Sequence, residues 1–150
     1  YIRYNIRSQI FAKSLPMPLV VGNLKRLELL RTVPALKEKL WENARKLQAG
    51  LTAKGFDIGK TDSVVTPVYM TGGVEEATAM VMDLRENYNI FCSIVLYPVI
   101  PKGHIIYRLI PTAVHTDADI EATLKAFEET KKKLDAGAYK AEAIPDMAEA

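Results

Sequence analysis

The chain has 150 residues, 49% of them hydrophobic and 25% charged, with 20 basic against 18 acidic side chains and a net charge of +2. That length supports one core of a globular domain, and the balanced charge argues against nucleic acid or an anionic membrane as partner. No apolar run reaches the roughly 18 residues of a membrane span. The single cysteine, Cys92, cannot form an internal disulfide and fits a reducing cytoplasm.

No signal peptide opens the chain. The first residue is Tyr1, and the basic, apolar-spaced residues 1–11 read as cut from something longer, so a fragment is expected. Residues 1–10 have the spacing of a helix end, with Ile2, Ile6 and Ile10 four apart. Pro16 and Pro18 interrupt it. Residues 19–30 are helical by spacing, with Leu24, Leu27 and Leu30 on one face. Pro34 suits the first turn of the next helix, whose stripe is Leu36, Leu40, Ala44, Leu47 and Leu51. Lys54 and Gly55 close it.

The period then changes. Residues 64–70 predict a strand that Pro67 confines to an edge or bulge. After Gly72-Gly73, residues 75–88 predict a helix with Ala77, Met80, Val81 and Leu84 inward. Residues 90–97 are apolar on both faces and predict a strand covered on both. Residues 105–110 predict a third strand, antiparallel to the 90–97 strand across a turn at Pro101–Gly103. Thr116 is the N-cap of the last helix, with Asp119 placed for a capping box and Ile120, Leu124, Phe127 and Leu134 as its stripe. Beyond Gly137 a frayed tail is expected. The order predicts an α+β two-layer domain: helices on one face of a short, mainly antiparallel sheet, after a long N-terminal helical segment.

The stretch 97–116, YPVIPKGHIIYRLIPTAVHT, carries the chemistry. Arg108 interrupts an otherwise apolar strand, and a charge buried there needs an anionic partner. A guanidinium suits a carboxylate, either a substrate's or that of an acidic residue in a missing domain. Pro98, Pro101 and Gly103 make a stiff turn, which by itself needs no function. His104 is expected in solvent and His115 in a structural role. Two histidines and a cysteine without ligand spacing exclude a zinc site. Gly72-Gly73 carries no phosphate-binding weight, and Lys131–Lys133 reads as a solvated face at a helix end.

The spacing Tyr-Pro-x-x-Pro-x-Gly, four residues, Arg, then His-Thr resembles the α-oxoamine synthases, fold type I pyridoxal-phosphate enzymes that join an amino acid to an acyl-CoA. The resemblance covers residues 1–134 and matches only the C-terminal part of such an enzyme. It implies residues 1–18 as a linker from a missing cofactor-binding domain, 19–136 as the small domain and 137–150 as a flexible tail. Arg108 would hold the amino acid's carboxylate, and the loop with Val99 and Pro101 would lie over the active site on the acyl-CoA side. Ser14, in FAKSLP, would be a substrate contact in place of the Ser that relatives often have where this chain has Ala12. YPVIPKG, with Val99 rather than Thr, leans toward glycine C-acetyltransferase (2-amino-3-ketobutyrate CoA ligase). 8-Amino-7-oxononanoate synthase, serine palmitoyltransferase, a fold type I aminotransferase and a non-catalytic interaction domain are the alternatives. No catalytic, cofactor-binding or metal residue is expected here. The Schiff-base lysine and the acid facing the pyridine nitrogen would lie upstream. The fragment would be inactive alone, and the whole enzyme a cytoplasmic homodimer.

Overall fold

Prolines and glycines cut this chain into helices before it turns to strand. A computed structural model describes residues 1–12 and 14–140. They form two units, Tyr1–Lys37 and a second that begins at Glu38. In the first, α1 (Ile2–Asn5) and α2 (Arg7–Ile10) are single turns separated at Ile6, which is extended with φ −87° and ψ 115°. The expected continuous helix end is therefore broken. Neither turn has a side-chain cap or a buried residue to offset the cost of nucleating a helix. α3 (Met17–Thr32) starts with proline in its first turn and buries none of its residues.

α4 (Pro34–Ala53) begins at the predicted proline and ends just before Gly55, at φ +80°. Ala44, Leu47 and Leu51 are buried as the stripe requires, whereas Leu36 is exposed. Asn43 is buried on the same stripe. After α4 come β1 (Thr66–Met70), α5 (Val74–Tyr88), β2 (Ser93–Val95), β3 (Ile105–Leu109) and α6 (Asp117–Asp135). α5 stops at Asn89, left-handed at φ 56°. α6 is capped as predicted: Asp119 N donates to Thr116 Oγ1 at 3.2 Å, and Thr116 N donates to the Asp119 carboxylate at 2.7 Å.

The sheet is antiparallel, with strand order β1-β3-β2. Alternation along β3 buries Ile105, Tyr107 and Leu109 against the helices. Phe127 of α6 meets Tyr107 edge-on at 6.4 Å and Phe56 at 5.6 Å. Tyr107 donates its hydroxyl to Ala77 O at 2.5 Å. Pro67 sits on an edge strand, as predicted. Tyr69 N donates outward to Asp57 O at 2.8 Å, so the missing N–H of Pro67, two residues earlier, also faces away from β3.

The strand expected over 90–97 is the main correction. Among the described residues only Ser93–Val95 pairs, and only with β3. Phe91 is 80% exposed and Tyr97 61%, so the apolar run is not covered on both faces among the described residues. Of the expected tail, residues 141–150 lie outside the described residues. The segment before them is tied down: Tyr139 donates to the Asp83 carboxylate, and Lys133 bonds the same carboxylate at 2.8 Å. Lys131 and Lys132 behave as the solvated face expected, pairing along α6 with Asp135 and Glu128.

Candidate functional site

Strand alternation, rather than burial, decides where Arg108 points. Ile105, Tyr107 and Leu109 face the helices, so Ile106 and Arg108 take the other side. Arg108 is exposed. The expectation of a buried charge is thus overturned: the strand is apolar because its opposite face makes the core. Across the ladder Arg108 stands between Pro67 of β1 and Ser93 of β2. Its Nε donates to Ser93 Oγ at 3.1 Å. It enters no ion pair among the described residues, so its terminal amino groups can offer a planar pair of donors to a carboxylate.

The β2–β3 connection is two turns rather than the single tight one expected. Val99 N donates to Leu96 O at 3.0 Å, and His104 N to Pro101 O at 3.3 Å. Gly103, at φ +87°, takes a conformation that a Cβ would strain. Val99 is 79% exposed, and Pro101 and His104 are exposed too. The Tyr97–Pro98 bond is cis. Lys102 lies 5.1 Å from the Tyr97 ring centroid. Beside this loop, a cleft of about 450 Å³ opens between Tyr97, Lys102 and His104 on one side and Gly72-Gly73 at the start of α5 on the other. The Gly73 N–H there is already bonded by Glu76 at 2.7 Å.

A second cleft, of about 310 Å³, lies where β3 runs out toward α6, lined by Leu47, Ile90, Leu109, His115 and Ile120 among others. His115 Nδ1 accepts from Thr112 N at 2.9 Å. That bond leaves the ring's proton on Nε2 and gives the histidine a structural task, as expected. Hydrogen bonds from the Thr116 backbone and hydroxyl hold the Asp119 carboxyl below its usual range. Burial lifts the Cys92 thiol to about 11, which makes it inert as a nucleophile. No cluster of potential metal ligands occurs among the described residues.

Ser14 is exposed and belongs to the first unit, whereas Arg108, on β3, and Val99 and Pro101, in the β2–β3 connection, belong to the second. Sequence reading passed over Ser93 and Asn43. Ser93 was legible as the polar position in the apolar run 90–97. Asn43 was legible as a polar residue adjoining Ala44 on an apolar stripe.

No family model matches the chain. It is 57% identical over 141 residues to a cysteate-C-fatty acyltransferase of Capnocytophaga ochracea, covering 94% of this chain and 34% of that protein. It is 34% identical to an 8-amino-7-oxononanoate synthase of Thermoanaerobacter pseudethanolicus, covering 89% of this chain and 33% of the relative. It is 31% identical to the 2-amino-3-ketobutyrate coenzyme A ligase of Escherichia coli, again covering 89% and 33%. Among solved structures, a serine palmitoyltransferase from S. paucimobilis with bound PLP and myriocin superposes at a TM-score of 0.79 and 29% identity, over 90% of this chain and 34% of that one. The chain spans about a third of the length of the curated relatives it matches.

Proposed function

The chain belongs to the α-oxoamine synthases as a C-terminal domain, and on that premise we propose that it serves a pyridoxal-phosphate-dependent acyl-CoA:amino acid C-acyltransferase. The observation that carries the reading is Arg108, exposed beside Ser93 and without a carboxylate among the described residues. Its role is to bind and orient the amino acid's carboxylate through two parallel charge-assisted bonds. Ser93 restrains the guanidinium through Nε and leaves its outer edge to the substrate. The loop with Val99 and Pro101 borders the acyl-CoA side, and Ser14 is kept as a contact to be tested.

Pyridoxal phosphate supplies the electron sink that lets an amino acid's α-carbon act as nucleophile. The described residues do not fit its binding site. No described lysine is buried. Lys46, Lys132 and Lys133 are each drawn toward the ammonium form by the hydrogen bonds they donate, to Glu42 and Asp117, to Glu128 and to Asp83 respectively. A Schiff-base lysine needs the opposite shift. Cofactor binding and proton abstraction are therefore assigned to a preceding large domain. Residues 1–18 are the proposed link to it, 19–136 the small domain and 137–150 the tail. No described helix is long and apolar enough to cross a membrane, and a cytoplasmic homodimer is the assembly proposed.

The loop residue Val99 favours glycine and acetyl-CoA. Identity of 57% to a cysteate-C-fatty acyltransferase against 31% to a 2-amino-3-ketobutyrate ligase outweighs one side chain. The preferred substrates are accordingly cysteate and a fatty acyl-CoA, with glycine second. The test is a cofactor-absorbance titration of the longer protein with cysteate, glycine, alanine and serine, for wild type, Arg108→Ala and Arg108→Lys. One amino acid should shift the wild-type spectrum. Arg108→Ala should weaken its binding about ten- to hundredfold, and lysine should not restore it, lacking the two-pronged geometry. A shift indifferent to Arg108 overturns the assignment.

A further inference from the structure

Asn43 occupies a place on α4 where an apolar residue would serve packing better. It is fully buried, next to buried Ala44 and one turn before buried Leu47. Its Nδ2 donates twice, to Thr112 O at 2.9 Å and to His115 O at 2.8 Å. Its Oδ1 is buried and has no donor among the described residues. Turning the amide over would set an acceptor against two carbonyl acceptors, so the orientation follows from the bonds. Both bonds that the amide donates go to one turn, which accounts for a polar side chain on this stripe.

That turn leads out of the Arg108 strand. Thr112 lies four residues beyond Arg108, and the turn is closed further by Thr112 N donating to His115 Nδ1 at 2.9 Å. One turn along α4, Gln48 Nε2 donates to Ser63 O at 2.9 Å and to Thr66 Oγ1 at 3.0 Å. Thr66 is the ladder partner of Leu109, and Pro67 that of Arg108. Two amides of one helix thus grip both chains of the β1–β3 pair at the same end, immediately beyond the Arg108 position. Among the described residues the Arg108 side chain has one anchoring bond, to Ser93, so its aim follows the strand that carries it, whose end this turn holds.

We propose that Asn43 is a positioning residue for Arg108: by holding the 112–115 turn to α4 it sets the end of β3 and the direction in which the guanidinium meets a substrate carboxylate. The inference rests on the carboxylate role proposed for Arg108.

The test uses the longer enzyme and steady-state kinetics with both substrates varied, for wild type, Arg108→Ala, Asn43→Asp and Asn43→Ser. Asn43→Asp keeps the size but faces two carbonyls with a carboxylate. Asn43→Ser keeps one donor without charge and is the variant expected to fold if the aspartate does not. Either should raise KM for the amino acid on the order of tenfold, with KM for acyl-CoA and the cofactor spectrum unchanged, and serine should be the milder of the two. A loss of thermal stability with both KM values at wild-type level makes Asn43 purely structural and overturns the inference. Arg108→Ala impaired while both folded Asn43 variants behave as wild type also overturns it. A wild type that turns over no amino acid, or an Arg108→Ala enzyme with unchanged kinetics, defeats the underlying reading and the inference with it.

Discussion

Tyr107 and Arg108 are neighbours with opposite fates, and the two-residue period of a strand accounts for both. Tyr107 is fully buried, meets Phe127 edge-on and satisfies its hydroxyl on Ala77 O at 2.5 Å. Burial raises its phenol well above the usual range, so it stays protonated and donating. Tyr107→Phe leaves the Ala77 carbonyl without this donor. It should lower unfolding free energy by about 1 kcal/mol in denaturant titration, with no change in m-value. Arg108, one residue on, is exposed with one bond to Ser93, which leaves it available for the carboxylate role proposed above. The motif around Arg108 was legible in the sequence, but its reason was not. Apolar neighbours on alternate positions made the charge look enclosed, when they form the far face of the sheet.

Helices were the more legible elements. Capping and spacing act within a few residues, so Pro34, Gly55, Thr116 and Asp119 marked their ends without tertiary information. β2 was not legible in the same way. Its length depends on how far β3 runs alongside it, and pairing stops after three residues. The close approach of α4 to α6 at Gly50 was also hidden. A Cβ at Gly50 would run into the Leu124 side chain. Gly50→Ala should therefore destabilise the domain despite the better helix former. Overpacking costs about 1–3 kcal/mol against a propensity gain of at most about 1 kcal/mol. Thermal unfolding of the single variant, and of Gly50→Ala with Leu124→Ala, checks this. The second change should recover part of the loss.

At the level of the whole molecule, the segment after α6 is fastened through Asp83. Burial alone would raise this carboxyl, but bonds from Lys133, Tyr139 and Asn87 outweigh it and the net shift is downward. A carboxyl lowered on folding contributes stability that is present above its unfolded value, about 4, and is lost as pH falls through its folded value. Acid unfolding should accordingly steepen below about pH 4. Asp83→Asn should flatten that part of the profile while costing stability at neutral pH, as followed by circular dichroism across pH 2–7. The contact spans α5, α6 and Tyr139, and a sequence reading that took Lys133 as part of a solvated run had no means of finding it.

What the sequence determined by itself were the features set by nearest neighbours along the chain: helix starts and stops, the confinement of Pro67 to an edge, the α+β order and the motif from Tyr97 to Thr116 that marks the family. What only the tertiary structure decided were the partners of side chains far apart in sequence. The exposure of Arg108, Ser93 beside it, Asn43 on the 112–115 turn and Asp83 beneath Tyr139 all belong to this second group. Each depends on which strand lies next to which and which helix crosses above. Those relations come from packing one core, and no local period encodes them.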